Sequence, residues 1–281
     1  MTATTEALTD TSVDAFAARV FDASLAFVDI LTIGIGDQLG WYDALAERGP
    51  MTAGDLAAST ATDARYAREW LEQQTTAGIL QVEDASLSAD QRRYLLPPEH
   101  AEVLTDRDSL AYLAPLARIF AGTGEQFGAL LDAYRTGSGV SWAQFGPRVR
   151  TGQADMNRPF FLTELPATWI PAVPDLHARL LSGARVADVG CGEGWSAIGI
   201  AKAYPDVRVD GYDVDAPSID AARRHAEQAG VADRVRFHSA DIATVDTGGY
   251  DVVTAFECIH DLPHPLKPLT ACAGSQPVTD M

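Results

Sequence analysis

The stretch VADVGCGEGW, residues 186–195, decides the reading of this chain. A short run with strand texture, ARVADVG, ends in glycines at alternate positions, Gly190, Gly192 and Gly194. A helical pattern, WSAIGIAKAY, follows at once. Glycine permits positive φ and lets a ligand approach backbone where a Cβ would stand. Amides at a helix start suit a carboxylate or phosphate. The stretch therefore reads as strand, ligand-binding turn, helix. Its G-x-G-x-G spacing differs from the G-x-G-x-x-G of a nicotinamide-dinucleotide turn. Asp188, just ahead of the first glycine, can point into the same crevice.

The alternation continues downstream. VRVDGYDVD reads as a second strand, APSIDAARRHAEQAG as a helix, VRFHSADI as a third strand and YDVVTAFECI as a fourth. Such alternation builds βαβ units and a parallel sheet that binds ligands at the C-terminal ends of its strands. Asp213, ending the second strand, can accept hydrogen bonds from both hydroxyls of a ribose, and such charge-assisted bonds are strong. Gly211 keeps the approach open. Asp241 and Ile242 follow the third strand, where an adenine edge and face would lie. A lone glycine loop fits a turn packed for structure alone; the three features together favour a ligand.

The upstream half has a different texture. Apolar residues recur at helical spacing over 13–48, including Phe16, Val20, Phe21, Leu25 and Val28. This surface is either buried in its own domain or a dimer interface. Thr52 can cap a helix over 53–59, and Thr62 or Asp63 a longer one ending near Gly78. A short turn between them gives a helix-turn-helix pattern. The following ILQVEDASLSADQRRYLLPP reads as two short strands around an acidic turn, a wing. The second helix carries more acids than arginines, and a DNA reader needs a basic face. A protein–protein role is therefore expected, with no nucleic-acid partner. Residues 109–135 read as helical. The segment 136–171, rich in Gly, Pro and aromatics such as Trp142, Phe145, Phe160, Phe161 and Trp169, is read as inter-domain packing, the wall of an apolar pocket, or both.

The whole chain holds 39 acidic against 21 basic residues, a formal charge of −18. That field repels nucleic acid and anionic lipid. The N-terminal MTATTEALTD lacks the basic and apolar regions of a signal peptide. No apolar run reaches the ~18 residues of a membrane span. The cysteines, Cys191, Cys258 and Cys272, have no metal-like spacing. A cytoplasmic protein without membrane association is expected.

VADVGCGEGWSAIGIAKAYP, GYDVD, ADI and YDVVTAFECIHDLPHP together resemble the successive motifs of class I S-adenosylmethionine-dependent methyltransferases, in the small-molecule branch with an N-terminal winged-helix domain. The resemblance spans roughly 15–265. It implies an α/β fold: a Rossmann-like parallel sheet, incomplete at about four strands, behind a mostly α-helical winged-helix domain. It implies S-adenosyl-L-methionine as cofactor, with the methionine portion on Asp188, Gly190, Cys191, Gly192 and Gly194. The ribose falls on Asp213, the adenine on Val214, Asp241 and Ile242, and the methyl-donor side on Phe256. It further implies a homodimer through the N-terminal domain and a small-molecule substrate, aromatic or polyketide-like. The domains expected are 1–108 for the winged helix and dimerisation, 109–178 for a helical linker and substrate lid, and 179–281 for a partial cofactor domain.

FECIHDLPHP, residues 256–265, follows the fourth strand. By the resemblance His260 is the general base and Asp261 can orient its ring; a pKa near ~6.5 suits that task. Two other readings stand: His260 caps the next helix, or it pairs with His264 on a metal. Pro263 and Pro265 bracket His264 and break the helix a metal pair would need, so no metal is expected. After Pro265 the family pattern calls for a further helix and strands, whereas LKPLTACAGSQPVTDM has neither texture. A C-terminally truncated chain is expected, able to bind cofactor with weak or no turnover, its fourth strand an exposed edge. The rival readings are an NAD-dependent oxidoreductase, disfavoured by the glycine spacing and by ADI, and a ligand-sensing winged-helix regulator, disfavoured by the acidic second helix.

Overall fold

The computed structural model describes residues 12–245, 249–262 and 264–267. Cys272 and Pro263 fall outside them. The chain forms two compact units, Met1–Ala121 and Gly122–Met281.

The first unit is mostly helical: α1 (Val13–Gln38), α2 (Trp41–Arg48), α3 (Ala53–Thr60), α4 (Ala64–Thr76), then β1 (Gln81–Val82), β2 (Tyr94–Leu95) and α5 (Pro98–Thr105). Local chemistry sets the borders. Thr52 caps α3 in a reciprocal capping box with Asp55. Asp63 caps α4 by accepting the Arg65 and Tyr66 amides. On α4 the buried residues Ala67, Trp70, Leu71 and Gln74 fall at helical spacing. They pack with Trp41, Tyr42, Leu45, Leu56 and Tyr94 into one core. Gln74 is fully buried, yet its amide donates to Thr32 Oγ1 at 3.0 Å and its carbonyl accepts the Tyr42 hydroxyl, so no penalty is left standing. β1 and β2 pair antiparallel as the wing. The winged-helix pattern read from the sequence is present, and Arg68, Arg92 and Arg93 each face a carboxylate.

Helix α1 is two things in one. Its last third packs against this core: a Cβ on Gly36 would lie 2.4 Å from the Trp70 ring, and Trp70 Nε1 donates to Thr32 O at 2.9 Å. Its first two thirds expose Phe16, Val20, Phe21, Leu25, Phe27 and Val28, each about half or more accessible. Of the two sequence readings of this stripe, burial within its own unit does not hold.

Helix α6 (Ala114–Glu125) crosses the border between units. The second unit continues with α7 (Phe127–Thr136), α8 (Trp142–Leu162), a π turn at Leu165–Trp169, and α9 (Pro174–Leu181). Gly146, at φ 73°, interrupts α8 just before Pro147. Then come β3 (Arg185–Val189), α10 (Trp195–Ala203), β4 (Arg208–Asp213), α11 (Ala216–Gln228), β5 (Val235–Ser239) and β6 (Val252–Ala255). The strands form one parallel sheet in the order β5-β4-β3-β6. Alternate residues Val186, Val209, Val235, Phe237 and Val252 face a core shared with Ile198, Ile200 and Ile219 of α10 and α11. Each such buried aliphatic contributes about 1.5–3 kcal/mol. Among the described residues β6 pairs with β3 alone. This is the expected Rossmann-like α/β architecture behind a helical winged-helix region. No described helix is long and apolar enough to cross a membrane.

Candidate active site

Because all four strands run parallel, the C-terminal ends of β3, β4, β5 and β6 lie at one rim. A cavity of roughly 1060 Å³ opens there, at the upper end of the small-molecule range of roughly 300–1000 Å³. The glycine loop forms its floor. Gly190, Gly192 and Gly194 all have left-handed φ, at 65°, 51° and 86°, which only glycine adopts freely. The backbone N–H groups of Gly190 and Cys191 donate to Tyr212 O at 2.8 and 3.2 Å. A Cβ built on Gly192 meets nothing within 4 Å, so the loop leaves free space on its ligand side.

Asp213 ends β4. Its Oδ2 accepts the Gly192 N–H and its Oδ1 the Asp215 N–H, each at 2.9 Å. Burial raises its pKa, against those two amide bonds. Val214 beside it is exposed. Asp241 caps a single 3-10 turn by accepting the Ala243 N–H at 2.9 Å, and Ile242 within that turn is buried at the cavity wall. Phe256 packs against Phe161 of α8, with ring centroids 5.5 Å apart. His260 and Asp261 lie in a 3-10 turn after β6, with His260 Nε2 3.5 Å from Asp261 Oδ1 and both side chains 66% exposed. Glu257 beside them is one of two non-glycine residues at positive φ among those described.

Of the expected site residues, Gly190, Cys191, Gly192, Gly194, Asp213, Val214, Asp241, Ile242, Phe256, His260 and Asp261 line this one cavity. Asp188 does not. It is fully buried beneath the loop, where its carboxylate accepts Ser196 Oγ at 2.5 Å and Thr254 Oγ1 at 2.8 Å. Its side chain shares a sheet face with the core rather than with the crevice, because strand residues alternate. Burial pushes its pKa up to about 6, despite those hydroxyl partners. Cys191 and Cys258 are free thiols, both raised by burial, and a thiol held protonated is a poor nucleophile.

The opposite wall comes from the α7–α8 segment: Ser138 to Trp142, Arg150, Gln153, Asn157 and Phe161. Trp142 and Phe161 were anticipated as pocket aromatics. Phe160 instead stacks on Trp169, and Phe145 stands edge-on to Trp142. Arg150, Gln153 and Asn157 were missed; in sequence they carry no motif, and only the fold places them over the glycine loop. His264 is exposed, and no group of three or more metal-ligating side chains occurs among the described residues. His100, His177, His225 and His238 bond to Ile79 O, Tyr204, Glu193 O and Asp210.

This geometry suits S-adenosylmethionine. Open space over Gly192, the partly exposed carboxylate of Asp213 and an aliphatic wall at Ile242 lie along this one cavity. Residues 186–273 match the family described as a methyltransferase domain, and residues 26–106 match the Rv2258c-like winged HTH domain. Among curated proteins, ubiquinone biosynthesis O-methyltransferases align. That of Acinetobacter baylyi is 35% identical over 114 residues, covering 40% of this chain and 45% of the relative. That of Bordetella bronchiseptica is 39% identical over 100 residues, covering 34% and 40%. The chain thus spans less than half the length of these relatives. Two solved structures share the fold across both units. Mitomycin 7-O-methyltransferase has TM-score 0.71 at 24% identity, with 93% of this chain and 77% of that one covered. Human N-acetylserotonin methyltransferase, solved with S-adenosylmethionine, has TM-score 0.64 at 19% identity, with 94% and 78% covered. The chain is thus similar to a winged helix-turn-helix domain over 26–106 and to a methyltransferase domain over 186–273.

Proposed function

We propose that this protein binds S-adenosylmethionine in the cavity at the rim of its parallel sheet and methylates a small apolar acceptor, aromatic or polyketide-like, at oxygen or carbon. The observation that carries the reading is the convergence of the glycine loop, Asp213, Ile242 and Phe256, from the ends of four adjacent strands, on one cavity. Gly190, Cys191, Gly192 and Gly194 would hold the methionine portion, Asp213 the ribose, and Val214, Asp241 and Ile242 the adenine. Asp188 would support the loop from below without touching the ligand.

When bound, the cofactor supplies an electrophilic methyl group on a sulfonium. The chain's own contribution is charge, alignment and exclusion of water. The carboxylates at Asp213, Asp241, Glu257 and Asp261 favour a cationic ligand. Phe161 and Phe256 would form an apolar wall beside the donor, with Trp142 across the cavity, and would help exclude water and align donor with acceptor. His260 would take the proton of an acceptor hydroxyl. Asp261 Oδ1, 3.5 Å from His260 Nε2, would help orient the ring. The exposed stripe of α1 would bury against a second copy, making the enzyme a homodimer.

Calorimetric titration with S-adenosylmethionine, S-adenosylhomocysteine and NAD tests the reading. Saturable heat with the first two and none with NAD is expected. A folded sample that gives heat only with NAD, or with none of the three, would exclude it.

A further inference from the structure

Arg150 reaches from α8 to Asp215, sixty-five positions away in sequence. Its Nε donates to Asp215 Oδ2 at 2.6 Å and its Nη2 to Oδ1 at 3.2 Å. Such a fork fixes orientation as well as distance. Only 13% of the Arg150 side chain and 6% of the Asp215 side chain are exposed. Arg150 is the sole arginine or lysine among the residues lining the cavity, and this fork commits it to protein rather than to ligand.

Asp215 is itself a junction. Its N–H donates to Asp213 Oδ1 at 2.9 Å. Its carboxylate caps α11, accepting the Ser218 N–H at 3.0 Å and the Ser218 Oγ at 2.7 Å. Burial pushes the Asp215 carboxyl upward, yet the bonds from Arg150 and Ser218 outweigh it and leave the pKa lowered. The pair is therefore ionised and satisfied. Through it the wall bearing Gln153, Asn157 and Phe161 is tied to the strand end bearing Asp213.

We propose that Arg150 is a positioning residue that locks the α8 wall onto the Asp213–Asp215 turn, so that ordering of this wall and binding of the cofactor are one coupled event. The inference rests on the methyl-donor reading of the cavity. Truncating Arg150 strands a buried carboxylate and frees the turn that sets Asp213. The cost falls on ligand affinity and on the order of the wall together.

The test is titration of S-adenosylhomocysteine into the full chain as wild type, Arg150→Lys and Arg150→Ala. Limited proteolysis within residues 137–142 and melting of each unliganded protein run in parallel. Wild type is expected to bind and to be protected in that segment by ligand. Arg150→Ala binds about 10- to 100-fold more weakly and loses the protection; Arg150→Lys, without the fork, falls between. Wild-type affinity in both variants overturns the lock. So does weakened binding that follows a lower melting temperature with ligand protection intact. If Arg150→Ala does not fold, Arg150→Lys decides by the same two readouts. A folded wild type that binds no S-adenosylhomocysteine removes the methyl-donor reading and this inference with it, an outcome distinct from unchanged affinity in the variants.

Discussion

Asp213 holds the tip of the glycine loop: its Oδ2 accepts the Gly192 N–H at 2.9 Å. One carboxylate thus shapes the loop and faces the cavity. Asp213→Ala removes both functions. Affinity for S-adenosylhomocysteine should fall about a hundredfold, the loss of two charge-assisted bonds. Calorimetry on wild type and variant measures it.

Asp188 gives the fold a pH dependence. Its folded-state pKa, about 6, lies above the ordinary 3.8. The stability associated with its neutral form is complete below 3.8 and is lost as pH rises through 6. At pH 7 the ionised, buried carboxylate costs about 3 kcal/mol. Asp188→Asn keeps a neutral acceptor and donor for Ser196 and Thr254. Relative to wild type it should gain stability as pH rises from 4 to 7. Urea unfolding at both pH values measures the difference.

Gly199 lies where α10 meets the end of α8. A Cβ there would stand 2.0 Å from Phe161 O, a backbone atom that cannot swing aside. Gly199→Ala should therefore push the two helices apart and destabilise the protein by about 1–3 kcal/mol, despite the better helix propensity of alanine. Chemical denaturation reads the loss, and it should be larger than for Gly124→Ala, where a Cβ meets nothing.

For His260 the expected result is kinetic. With a hydroxyl acceptor, His260→Ala should lower turnover about 10²- to 10⁴-fold while leaving cofactor affinity unchanged. Activity against calorimetric affinity separates the two. Unchanged turnover would leave His260 as an ordinary turn residue.

The α1 stripe predicts assembly. Phe21→Glu places a charge in the centre of the exposed apolar surface. Sedimentation should show a dimer for wild type and a monomer for the variant, with the melting of the winged-helix core little changed, since Phe21 packs on none of it.

The parts of this molecule legible in the sequence are those whose cause is local. The glycine loop, Asp213 and Ile242 could be placed because each sits a fixed step after a strand that announces itself by alternation. Thr52 and Asp63 could be read as caps for the same reason. Asp188 could not be placed fully. Its direction depends on Thr254, on a strand that joins β3 only after the sheet assembles. Arg150, Gln153 and Asn157 were invisible for a related reason. Their helix is broken at Gly146, and the Asp215 that holds Arg150 lies beyond β4, sixty-five positions along the chain. The α1 stripe was visible as apolar, but only the fold showed that its last third alone finds a core.

Trp195 opens α10 at the edge of the cavity, stacked on His225 at 4.3 Å with Arg158 over its ring at 5.1 Å. Its indole N–H meets no acceptor among the described residues. A ligand settling on the adjacent glycine loop should change its emission. The protein carries its own fluorophore at the place where occupancy has to be read, so binding can be followed by light without a label.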